Sequence, residues 1–254
     1  MKTIRSKGLG WVPDKPDRRD LRWAPKSYYS LQNLPEKVDL EPQCPEIWDQ
    51  GALGSCVAHA CGALSKFLQM KEHDPEIYTP SRLALYYWNR TWDGNEGWDA
   101  GSSIRDGLKT LYTYGDPKEE LWRYDVNKFI EKPPQPVYDN AASHKVALYA
   151  RLPQELNSLR ACLAEGFPIV FGFSVYSSFE PDQSGVCPMP STSDRLEGGH
   201  AVMIIGVDMA TRMFKIRNSW GKDWGINGHF FMPFDYLLSP DLADDFWVAK
   251  TIYP

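Results

Sequence analysis

A chain of 254 residues with 43% hydrophobic and 24% charged side chains is composed like a water-soluble globular protein, long enough for one large domain or two lobes about a cleft. Its net charge of −5, with no basic run, argues against nucleic acid and acidic lipid as partners. No stretch approaches the ~18 apolar residues of a membrane span, and "MKTIRSKGLGWVPDKPDRRD" is positively charged without the apolar centre of a secretory signal, so an intracellular protein is expected unless a leader is missing.

Residues 1–35 are rich in proline and charge and lack sustained periodicity, so "WVPDKPDRRDLRWAP" reads as an extended arm. Order is expected from "LPEKVDL" onward. "SCVAHACGALSKFLQM" has small or apolar residues on more than one face, the mark of a buried helix. "SRLALYYWNR" and "SIRDGLKTLYTYG" predict two more helices. After "EKPPQPVYDN" the texture changes. "HKVALYARL" predicts a strand, "PQELNSLRACLAEG" an amphipathic helix ended by Gly166, and "PIVFGFSVY" a strong strand. "HAVMIIGVDM", "MFKIRNSW", "GHFFMPF" and "FWVAKTIYP" are further β segments separated by Gly, Asp and Asn turns. The prediction is an α+β chain. Residues 36–140 form a mainly helical lobe and residues 141–254 an antiparallel sheet or barrel, with a cleft between them.

The five cysteines (Cys44, Cys56, Cys61, Cys162 and Cys187) are odd in number, so a monomer holds at least one free thiol, and they lack zinc-ligand spacing. No metal or cofactor is expected. Cys61 and Cys162 lie in apolar helical patterns and read as small buried hydrophobes. Cys56 differs. In "DQGALGSCVAHACG" a glycine-bearing turn delivers it to the first turn of a helix, where unpaired N–H groups and the helix dipole favour the thiolate.

A nucleophilic thiolate requires an imidazole, and the imidazole an orienting group. Among five histidines, His200 in "LEGGHAVMIIGVD" is the candidate base: Gly198 and Gly199 free the backbone before it, and a strand behind fixes it. His59 sits on the nucleophile's own helix with little room for substrate, while His229, His73 and His144 read as structural or surface residues. In "IRNSWGKDWGINGHF", Asn218 would accept the second imidazole N–H and Trp220 would shield that bond from water. Gln50, with the Cys56 backbone N–H, would donate to a developing oxyanion.

The order Gln50, Cys56, His200, Asn218 resembles that of the papain-like cysteine peptidases, the group containing the cathepsins. The Q-x-x-x-x-x-C segment matches Gln50 to Cys56, and N-S-W-G-x-x-W-G-x-x-G matches Asn218 to Gly228. "GFSVYSSF" and "SGV…GGHA" resemble the cathepsin B branch, and the likeness runs from about Leu34 to the C-terminus. The resemblance implies a two-lobed fold and an endopeptidase acting on peptides or proteins through a thioester acyl-enzyme, without cofactor; a monomer is expected. It also implies a substrate-binding set of Gly101, Gly199, Trp220 and Lys250, the last aligned through "AKTIYP" with the base of the pocket for the second side chain before the cut.

Three positions depart from the family pattern. Leu53 replaces a disulfide cysteine, Val57 an aromatic residue, and Ala100 the first glycine of a pair. Acyl transfer to an amine, as in a ligase or transglutaminase, uses the same acyl-enzyme, but Asn at position 218 favours hydrolysis. A catalytically silent binding homologue would be expected to have lost one of the four groups retained here. Residues 1–35, too short for an independent inhibitory domain, are expected to lie ordered along the surface. Trp11 and Trp23 would anchor them as a lid on the non-primed side of the cleft.

Overall fold

Helix α1 (Cys56–Lys71) is buried on almost every side, from Val57, Ala58 and Ala60 through Leu64, Phe67 and Leu68. Two capped helices pack on it in the computed structural model, which describes residues 7–25 and 33–251. Ser81 caps α2 (Arg82–Thr91) by accepting from Ala84 N at 3.2 Å, and Ser103 caps α3 (Ile104–Thr113) by accepting from Asp106 N at 3.1 Å. A fourth helix, α4 (Gln135–Ala141), falls in a proline-rich stretch that reads as a linker. Pro136 stands in its first turn, where the missing N–H has no helical partner to lose.

The second half supplies β2 (Val146–Arg151), α5 (Leu156–Ala164), β3 (Ile169–Tyr176), β4 (Leu196–Asp208), β5 (Met213–Arg217), β6 (His229–Pro233), α6 (Phe234–Leu237) and β7 (Ala243–Thr251). Gly166, at φ +78°, takes the left-handed backbone that ends α5. The strands run antiparallel in the order β2-β7-β3-β4-β5-β6, and a short β1 (Lys37–Asp39) pairs with β4. β3 and β4 carry almost continuous apolar runs because helices α1 and α5 pack on them.

The β lobe is an open sheet and not a closed barrel: among the described residues β2 pairs only with β7, and β6 only with β5 among the named strands. At the end of β2 the N-terminal arm supplies hydrogen bonds instead. Arg151 N donates to Leu21 O at 2.8 Å, and Trp23 N to Arg151 O at 2.9 Å. All five cysteines are free thiols.

Candidate active site

α1 begins at Cys56 with no side-chain cap. Ser55, the capping position, turns its hydroxyl to Tyr124 Oη (2.6 Å) and to His59 Nδ1 (3.3 Å) instead. The first-turn amides of α1 therefore keep their field for whatever lies at the helix mouth. β4 packs against α1, and the thiol of Cys56 faces the backbone N–H of Ala201, next to His200. His200 Nε2 lies 2.8 Å from Asn218 Oδ1, which also accepts from Ser219 N at 2.8 Å. A carbonyl oxygen only accepts, so Nε2 carries the proton and Nδ1 is left basic. Nδ1 is buried and has no partner among the described residues. The Trp220 ring stacks on the imidazole, with centroids 4.5 Å apart.

Gln50 is fully buried, and three bonds hold its amide. Oε1 accepts from Ser219 Oγ at 2.7 Å, and Nε2 donates to Leu53 O at 2.9 Å and to Gly8 O at 2.7 Å. Ser219 thus ties the oxyanion donor to the segment carrying Asn218. Tyr124 supports both sides, donating to Gln50 O at 2.9 Å. Asp99 accepts from Gly54 N (3.1 Å) and from Tyr86 Oη, which in turn accepts from Gly101 N (3.1 Å). None of Ser219, Tyr124, Tyr86 and Asp99 is singled out by motif spacing. Ser219 alone carries a signal, its place inside "NSW".

The arm fills this cleft. Lys7 Nζ donates to Trp220 O at 3.3 Å, and Gly8 O meets Gln50. The Gly10 backbone N–H faces the Cys56 thiol. Trp11 N donates to Gly199 O at 3.0 Å, Ser102 N to Gly10 O at 2.9 Å, and Val12 N to Ser102 O at 3.1 Å. Gly199 and Gly101 therefore receive the arm: a Cβ on Gly101 would stand 2.1 Å from Gly10 O, and one on Gly199 2.5 Å from Trp11 O. Trp11 enters a slot over Gly172, where a Cβ would lie 2.0 Å from the indole.

Burial under the arm changes the electrostatics expected at a helix mouth. It pushes the Cys56 thiol up to about 11, and it pulls the His200 imidazole down to about 4 against the hydrogen bond from Asn218. The covered pair is thus neutral thiol and neutral imidazole, not the expected thiolate and imidazolium.

Lys250 is not at the base of the Trp11 slot. It lies farther along β7, opposite Leu148, with Nζ 3.9 Å from Glu165 and over the Phe167 ring. The polar floor of the slot is Asp245, whose Oδ2 accepts from Trp11 Nε1 at 3.1 Å. Alignment by the last residues misplaces the floor because β7 pairs irregularly with β3 between Val170 and Gly172, and Asp245 sits at φ +57° in that interruption. His59 is a buried structural residue, its Nδ1 3.1 Å from Ser55 O and its ring edge-on to Tyr124. His229 is buried near Glu41, and His144 packs against Tyr78. No cluster of metal-ligating side chains occurs among the described residues.

This cleft, between a helix-borne cysteine and a strand-borne histidine, defines a papain-like cysteine peptidase. Residues 34–236 match the family model described as papain family cysteine protease, and the chain belongs to that family. It is similar to an uncharacterized peptidase C1-like protein of Acanthamoeba polyphaga mimivirus, 35% identical with 97% of this chain and 88% of that one covered. It is also similar to cathepsin B-like CP3 of Giardia intestinalis, 28% identical over 84% of this chain and 74% of that one. Xylellain, a cysteine protease from Xylella fastidiosa, superposes with a TM-score of 0.91 at 40% identity, covering 99% of both chains. Procathepsin L 3 of Tenebrio molitor shares the fold, with a TM-score of 0.70 at 18% identity, covering 97% of this chain and 76% of that one. No helix among the described residues is long and apolar enough to cross a membrane.

Proposed function

We propose that this protease is an endopeptidase in which Cys56 is the nucleophile, His200 the acid–base and Asn218 the orienting group, with Gln50 in the oxyanion hole. Once the cleft is open to substrate, Cys56 gives its proton to His200 Nδ1 and the thiolate attacks a peptide carbonyl. The oxyanion is met by Gln50 Nε2 and the Cys56 backbone N–H at the uncapped end of α1. The imidazolium returns its proton to the departing amine, leaving a thioester. Water, deprotonated by the same nitrogen, then releases the acid and the free thiol. Asn218 holds the ring in the tautomer that leaves Nδ1 basic, and this bond is the observation that carries the reading. Hydrolysis of a fluorogenic peptide library by the full chain tests it. Activity must be lost in Cys56→Ala and His200→Ala; activity surviving in either overturns the assignment.

A further inference from the structure

We infer that residues 7–23 are a reversible inhibitory strap, laid through the active-site cleft and locked at its far end by a buried clasp of Asp14, Arg151 and Asp245. The inference rests on the reading of Cys56 as nucleophile and concerns what controls access to it.

The strap meets the machinery at each point a substrate would need. Gly8 O takes the hydrogen that Gln50 would offer an oxyanion, and Trp11 takes the Gly199 carbonyl and the slot. It fits because it is glycine where it passes closest to the body. A Cβ on Gly8 would stand 1.9 Å from Leu53 O, and one on Gly10 1.9 Å from Gly54 O. These are backbone atoms that cannot move aside as a side-chain end would. At the sulfur the strap presents the Gly10 N–H, a donor, while the Gly10 carbonyl is turned to Ser102 N. Nucleophilic attack needs a carbonyl carbon at that place, so the strap blocks without being a substrate.

The clasp explains why it stays. The side chains of Asp14 and Asp245 are both fully buried, and Arg151 bridges them, at 3.2 Å and 2.7 Å. Asp14 also accepts from Trp247 Nε1 at 2.8 Å and from Arg105 N at 3.1 Å. Asp245 Oδ2 accepts from two groups of the strap itself, Trp11 Nε1 and Asp14 N at 2.7 Å. Farther on, Asp20 pairs with Arg105 at 2.7 Å. Lifting the strap would leave a buried carboxylate with two donors fewer and an arginine with one carboxylate fewer, which ties the strap more firmly than apolar contact alone.

The test uses the full chain and its Gly10→Ala variant, which changes nothing in the body of the enzyme. Iodoacetamide labelling of Cys56, read by peptide mapping, should be at least tenfold faster in Gly10→Ala, with turnover of a fluorogenic peptide rising in step. A synthetic peptide of residues 7–25 should slow labelling of the variant, and the same peptide with Trp11→Ala should not. The intact mass of the wild-type chain should not change during the assay. Equal labelling rates in wild type and a folded Gly10→Ala overturn the strap, as does cleavage within residues 7–12. Labelling reports access to the sulfur whatever bond the enzyme cuts. Faster labelling without peptide cleavage would therefore keep the strap and reject the peptidase assignment.

Discussion

Gln50→Ala separates the chemistry from the strap. In the wild-type chain the bonds to Leu53 O and Ser219 Oγ orient the amide, and the remaining hydrogen points at Gly8 O, 2.7 Å away. Losing one oxyanion donor costs about 10²–10³ in kcat, or about 2.7–4 kcal/mol. The same change removes one anchor of the strap, worth about 1 kcal/mol, which favours release roughly fivefold. The two effects oppose each other and the first is larger. Turnover of a fluorogenic peptide should therefore fall roughly 20- to 200-fold while alkylation of Cys56 rises several-fold. The variant also strands Leu53 O and Ser219 Oγ, at about 1–3 kcal/mol each. Rates should accordingly be measured at a temperature where circular dichroism shows native structure. Turnover within tenfold of wild type in folded protein, or alkylation falling together with turnover, would refute this account of Gln50.

Burial, with Asp14 beside it, raises the Asp245 carboxyl to about 6, although the Asp14 N–H and Arg151 oppose the rise; Asp244 adds to it. A clasp that holds this proton more tightly than the released form is favoured below the ordinary carboxylate value and weakens as pH rises through about 6. Limited proteolysis of the arm should thus be faster at pH 7.5 than at pH 5, and Asp245→Asn should flatten that difference. Lys250→Glu should lower the melting temperature by setting a second carboxylate against Glu165. It should leave side-chain preference in a peptide library unchanged, whereas Asp245→Ala should alter it. His59→Leu should keep the shape of the pH–rate profile; a hundredfold loss in folded protein would restore His59 as a candidate base. In Gly10→Ala at pH 6, alkylation should be confined to Cys56, because burial pushes Cys44 up to about 12 and raises the other three thiols as well.

The sequence by itself determined what is written in local pattern. The buried character of α1 follows from its small and apolar residues, the starts of α2 and α3 from Ser81 and Ser103, and the strands from short apolar runs between turn residues. Gln50, Cys56, His200 and Asn218 could be named because each sits in a short motif whose spacing has a chemical reason. Two large tryptophans in a charged, proline-rich arm signalled burial, and Trp11 and Trp23 are each less than 10% exposed.

Tertiary structure decided where those pieces meet. Whether the sheet closes depends on what covers β2 and β6, and no segment states that locally. The floor of the slot depends on a register shift in β7, which moves Asp245 in and Lys250 out. The clasp joins Asp14, Arg151 and Asp245, which share no motif because their attraction arises only where burial lowers the dielectric around them. The ionisation of Cys56 was the least legible feature. A helix start favours a thiolate, but the Gly10 strap above it excludes water, and desolvation outweighs the dipole until the strap lifts.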